Sequence, residues 1–247
     1  MQQSRCRSGK RSTDLTHAGS PVPAPAVAVF AALLLISLCA PASHAEWRLG
    51  ASAGAGVSVL NGADWKDDLA FDDAEEQAAF GGRAALHVGY RFLPWLAARV
   101  SFSTLRAGSR FEYIEDAFDD EIYEYEGSLR WWSGGPGAHA EIRIPVEPVE
   151  PYVSVGAIAS FPFSRFVRDD VSNEISIVRR VPAERAVALH LAGEVGVRIP
   201  VGAITALAGV HYERSLTGYF EASAWPRLYA NVFTVNAGVE IPLGGSR

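Results

Sequence analysis

The chain has 247 residues, 49% of them hydrophobic and 20% charged, with a formal net charge of -6. That balance excludes a disordered polyelectrolyte and argues against a nucleic-acid partner, which needs a concentrated basic face to neutralise phosphate. Lys66 is the single lysine after residue 45, so no basic helix or lysine run supplies such a face.

The first 45 residues are of a different kind from the rest. Arg5, Arg7, Lys10 and Arg11 make a positive leader, Ala26 to Ala40 form an apolar core around Leu33, Leu34, Leu35 and Ile36, and Ser43-His44-Ala45 supplies a small-x-small cleavage pattern. This reads as a signal peptide, residues 1–45, cut before Glu46, which leaves residues 46–247 as one domain. Both cysteines, Cys6 and Cys39, fall in the leader, so the exported domain is expected to have no disulfide and no cysteine chemistry. It also lacks the run of about 18 apolar residues that a membrane helix requires.

Taken in twos, the remainder sorts into segments that keep one parity apolar, which is the repeat of a strand. The first runs from Trp47 to Val59 on its apolar face and carries Arg48, Gly50, Ser52 and Ser58 on the other. The second sets Ala84, Leu86, Val88, Tyr90 and Phe92 against Ala85, His87, Gly89 and Arg91; Pro94 then breaks the ladder, and Leu96 to Phe102 resume it against Arg99 and Ser101. Ala138 to Ile144 oppose His139, Glu141 and Arg143, and Val153 to Phe161 oppose Ser154 and Gly156. The longest alternation sets Val187 to Ile199 against His190, Glu194 and Arg198. Two more follow, with His211 and Glu213, then Glu240, on their polar sides.

The count is eight strands, at about 47–60, 82–92, 96–106, 136–145, 151–161, 186–199, 203–213 and 230–243. Short and long connections alternate along them. The pattern predicts an all-β protein, an eight-stranded antiparallel up-and-down transmembrane β-barrel with tight turns on one side and long loops on the other. Residues 121–132 also have strand character; they read as an upward extension of the fourth strand or, in a ten-stranded alternative, as a separate span.

In so narrow a barrel the interior holds side chains only. Arg48, His87, Arg91, Arg99, His139, Glu141, Arg143, His190, Glu194, Arg198, His211, Glu213 and Glu240 are therefore expected to form a polar lumen network of ion pairs, because an unpaired charge there is expensive. Aromatic residues near strand ends, Trp47, Phe92, Trp95, Trp131, Trp132, Tyr152, Tyr212, Trp225 and Tyr229, are expected at the membrane interfaces. Loops 61–81 and 107–135 are rich in aspartate and glutamate and are candidates for divalent cations, although their spacing matches no calcium-loop motif. No zinc-protease helix or phosphate loop is present, and neither cofactor nor catalytic residue is expected.

Together with the leader, the stretches Leu86-His87-Val88-Gly89-Tyr90-Arg91-Phe92-Leu93-Pro94-Trp95-Leu96-Ala97-Ala98-Arg99-Val100 and Pro151-Tyr152-Val153-Ser154-Val155-Gly156-Ala157 make the chain resemble the OmpA-like and OmpX-like small outer-membrane barrels. The resemblance covers most of residues 46–243. It implies a monomer in outer-membrane lipid, assembled by the outer-membrane insertion machinery, with roles ranging from envelope integrity to adhesion. A narrow porin-like channel and a barrel-borne lipid-modifying enzyme are the alternative functions.

Overall fold

The computed structural model describes residues 46–61, 75–116, 122–171, 175–180, 187–218 and 229–243. The proposed leader, Trp225 and the acidic segments 62–74 and 117–121 lie outside them, and with them most of the candidate cation ligands. Among the described residues there are nine strands: β1 Glu46–Asn61, β2 Glu75–Leu93, β3 Leu96–Asp116, β4 Ile122–Arg143, β5 Glu150–Val171, β6 Ile175–Arg180, β7 Ala188–Val201, β8 Ile204–Ser215 and β9 Tyr229–Pro242.

Eight of them close a ring. Each pairs antiparallel with its neighbours in the order β1, β2, β3, β4, β5, β7, β8, β9, and β9 returns to β1 through Arg48↔Pro242 up to Asn61↔Tyr229. Closure leaves no row of open amides in the wall, which hydrocarbon would not tolerate. β6 stands apart from the ring: it pairs with Phe166 to Val171, the end of β5 beyond the residues that pair with β7.

The eight-strand count holds, but four strands are longer than the periodicity indicated. β4 pairs with β3 without a register shift from Asp116↔Ile122 to Leu96↔Ile142, so residues 121–132 are no separate span and the ten-strand alternative falls. β2, β3 and β5 also continue well past the expected ends. In sequence those extensions lose the alternation that marks a strand in lipid, while the backbone ladder itself goes on.

The outward face is apolar and open. Leu86 is 64% exposed, Val235 61% and Val195 59%, whereas Arg198 and Glu141, on the inner face, are each 1% exposed. That inversion of the usual soluble arrangement suits a wall in contact with hydrocarbon.

Turns at one end are short. Pro94 and Trp95 form the β2–β3 turn, where an Arg91 Nη2 donates to the Pro94 carbonyl at 3.1 Å. The β7–β8 turn uses Gly202 at a φ of 62°, a conformation a side chain would strain. Higher in the wall, the β2–β3 register slips between Ala78 and Gly82. The Ser58 hydroxyl fills the gap, accepting from the Gly108 amide at 2.9 Å and donating to the Gly108 carbonyl at 2.8 Å.

Candidate functional site in the barrel lumen

Inward parity on all eight ring strands converges on one column of side chains. At the end with short turns, Arg48 and Arg91 reach Glu46 at 2.9 and 3.8 Å, and Arg91 lies 3.6 Å from Glu150. These four are partly exposed and form a rim.

Above the rim the charges are buried and matched. Glu240 of β9 receives Arg198 of β7, lies 2.8 Å from His87 Nε2 of β2 and 3.8 Å from Arg48 of β1. Arg198 also meets Glu141 of β4 at 3.0 Å, and Arg143, two residues further along β4, meets the same carboxylate at 2.5 Å. Arg198 thus bridges two carboxylates from different strands, with its guanidinium 5.1 Å from the centre of the Tyr152 ring.

The next tier is centred on Glu194 of β7. Arg99 of β3 donates to it at 2.8 Å and also to the Ser154 hydroxyl of β5 at 3.2 Å, and the Tyr152 hydroxyl donates to the other Glu194 oxygen. His211 of β8 lies between Glu194, at 3.6 Å, and Glu213, at 3.3 Å, and His190 Nδ1 is 2.7 Å from Glu213. His139 lies 3.4 Å from the Ser101 hydroxyl.

Glycine makes room for these groups. A Cβ at Gly50 would meet His87 Cε1 at 2.6 Å and Glu240 Cγ at 2.7 Å. No side chain larger than hydrogen fits there without moving the pair.

All thirteen residues assigned to the lumen from sequence are on the inner side, eleven of them buried and Arg48 and Arg91 at the rim. Arg83, 5% exposed, belongs with them and was missed, although it shares parity with Ala85 and His87. Trp47, Trp95, Trp132 and Tyr212 are outward and between 40% and 49% exposed; Tyr229 is half-buried.

Two aromatics assigned to the interface are instead inside. Trp131 is fully buried at 0% exposure and Tyr152 is 2% exposed. Each keeps the parity of its strand's inner residues: Trp131 that of His139 and Glu141, Tyr152 that of Ser154. Phe92 is also buried, at 4%, where the β2 register shifts between Arg91 and Leu93 at the turn.

The inner face is not polar along its whole length. Toward the end that carries the long connections it becomes an apolar cap of Leu60, Leu105, Ala107, Leu129, Trp131, Ile158, Ala188, Ala230 and Val232, each no more than 6% exposed.

Two arrangements among the described residues bear on hydrolytic chemistry. Gly50-Ala51-Ser52-Ala53-Gly54 has the letters of a nucleophile elbow, but it lies mid-strand in β1, paired on both sides, and not at a strand-to-helix turn. The Ser101–His139 pair has no orienting carboxylate: His139 Nδ1 has no hydrogen-bond partner among the described residues. The described residues contain no group of three metal-ligating side chains.

Residues 30–240 match the family model described as the outer membrane protein beta-barrel domain, and the chain belongs to that family. It is an outer-membrane protein, a small barrel embedded in lipid. Among solved structures it is similar to Neisserial surface protein A, with 14% identity over 79% of this chain and 96% of that one and a TM-score of 0.39. It is similar also to the attachment invasion locus protein Ail of Yersinia pestis, with 16% identity, 79% and 99% coverage and a TM-score of 0.37. OprG of Pseudomonas aeruginosa shares 10% identity over 82% of this chain and 97% of that one, with a TM-score of 0.40. No curated protein matches the chain.

Proposed function

We propose that the protein is a non-conducting monomeric barrel, closed along its lumen by its own side chains, that serves the envelope structurally and through surface contacts at its acidic outer loops. In this reading residues 1–45 are a leader removed on export, and the insertion machinery of the outer membrane places the barrel. One observation carries the closed lumen: Arg198, 1% exposed, spans the bore between Glu141 and Glu240, while Trp131, 0% exposed, sits in the apolar cap toward the other end. An ion moving through would have to break the first arrangement and then cross the second without water.

Planar-bilayer recording of the refolded protein tests this. Closure predicts a flat trace; stable stepwise openings overturn it. A narrow channel is the second reading, favoured by the continuity of ionisable groups from Glu46 and Arg48 through Glu240, Arg198, Glu141 and Glu194 to Glu213. In that case replacing Arg198 would change ion selectivity.

A further inference from the structure

Arginines also occur on the outward face, and they are treated differently from those inside. Arg106 and Arg110 of β3 and Arg130 of β4 surround Gly108. Arg106 and Arg110 stand two residues to either side of it along the strand, and Arg130 is its direct partner across the ladder. Diagonal neighbours in such a ladder are about 7–8 Å apart, within reach of long side chains. The Arg130 stem leans over Gly108, since a Cβ there would lie 3.3 Å from Arg130 Cγ. Arg106 extends across the ring of Phe80, with its guanidinium carbon 5.6 Å from the ring centre. The guanidinium of none of the three has an ion pair or hydrogen bond to a described side chain, and Arg110 meets Ser109 only through its backbone carbonyl, whereas Arg99, Arg143 and Arg198 in the lumen all face carboxylates.

Their height is set by the strand. Ten residue steps separate Leu96, the first residue of β3, from Arg106. At about 3.3 Å per residue and a tilt of about 40°, that is a climb of about 25 Å, the height of the apolar band of such a barrel. Beside and below the arginines the wall is lipid-facing and aromatic: Trp132, the ladder partner of Arg106, and Phe80, Phe163, Phe102 and Phe161 are 40% to 60% exposed. Further up the same ladder Glu112 pairs with Glu126. The arginines thus stand at the upper end of the aromatic part of the β3–β4 wall. Among the described residues the opposite wall has one outward arginine at this level, Arg214 of β8, above Tyr212.

The geometry points to a binding site, formed by Arg106, Arg110 and Arg130, for the phosphomonoester headgroup of an outer-leaflet lipid whose acyl chains lie along the aromatic wall below. Planar guanidiniums match phosphate oxygens in paired hydrogen bonds, and a headgroup at the hydrocarbon boundary meets them where water is partly excluded. Gly108 keeps the centre of the triangle free of a side chain.

Native mass spectrometry of the folded protein in neutral detergent, titrated with phosphatidic acid, tests the site. Retention of phosphatidic acid well above that of diacylglycerol is expected, and the triple variant Arg106→Gln, Arg110→Gln, Arg130→Gln is expected to lose about ten-fold in apparent affinity. Arg214→Gln serves as the control and is expected to stay within about two-fold of the unchanged protein, because one exposed cation alone binds weakly. Heat-modifiable gel mobility reports whether each variant is folded. If the triple variant fails to fold, Arg130→Gln alone is expected to lose about three-fold. Equal retention by the folded variants overturns the site, as does equal loss in Arg214→Gln. Displacement of the lipid by millimolar inorganic phosphate also overturns it, by making it a site for small anions.

Discussion

Two stretches of one lumen are filled by opposite means. Between Arg48 and Glu213 the bore is occupied by matched charges, with each buried carboxylate shared among two or more partners from different strands. Toward the long connections it is occupied by Leu60, Leu105, Leu129, Val232 and the ring of Trp131, which fill the bore by close apolar contact. The same inward parity runs through both. An inward position in a closed narrow barrel therefore demands that space be filled and polar groups satisfied, and either chemistry meets the demand.

The largest effect is expected where one charge holds two. Arg198→Ala leaves Glu141 and Glu240 facing each other with less compensation and is expected to destabilise the barrel by about 4–5 kcal/mol. The urea midpoint for unfolding from vesicles measures it. Adding Glu141→Gln and Glu240→Gln to that variant is expected to recover part of the loss; no recovery would mean that volume, not charge, governs the lower stretch. Trp131→Ala makes the matching test above, and a cavity of that size is expected to cost about 3–4 kcal/mol. A loss near zero would show that the cap is loosely packed.

Val195→Arg probes the other side of the wall. Val195 is 59% exposed on the outward face of β7, and a cation at mid-membrane is expected to cost about 2–4 kcal/mol in vesicles. The penalty should shrink in short-chain detergent. Gly50→Ala forces a methyl against His87 and Glu240 and is expected to cost about 1–3 kcal/mol by overpacking. Tyr152→Phe removes one donor to Glu194 while Arg99 remains; a loss of about 1 kcal/mol is expected on the same assay.

Much of this was legible before any fold was known. Thirteen lumen residues follow from parity alone, since a strand alternates its side chains whatever it packs against. Residue type and parity conflict at two aromatics, and parity prevails. Tyr152 shares the face of Ser154, and Trp131 that of His139, so both lie inside although aromatics commonly gather at interfaces. Phe92 is a different case, because the slip in register at the β2–β3 turn cannot be seen in one strand read alone. β6 lay inside what read as a long connection, and six residues ending in two arginines carry too little alternation to stand out.

What the residues determine by themselves is local: a strand's periodicity, its faces, and the turns at Pro94 and Gly202. Which carboxylate meets which cation across the bore was decided only on closure, although Arg143 and Glu141 are two residues apart on one strand. Arg198 finds Glu141 from β4 and Glu240 from β9 because the ring brings inner faces together from several sides, while its neighbours in β7 point elsewhere. Closure likewise set the apolar cap, and the pairing of β3 with β4 set the triangle of outward arginines, since register between separate strands is a property of pairing and no single stretch of chain contains it.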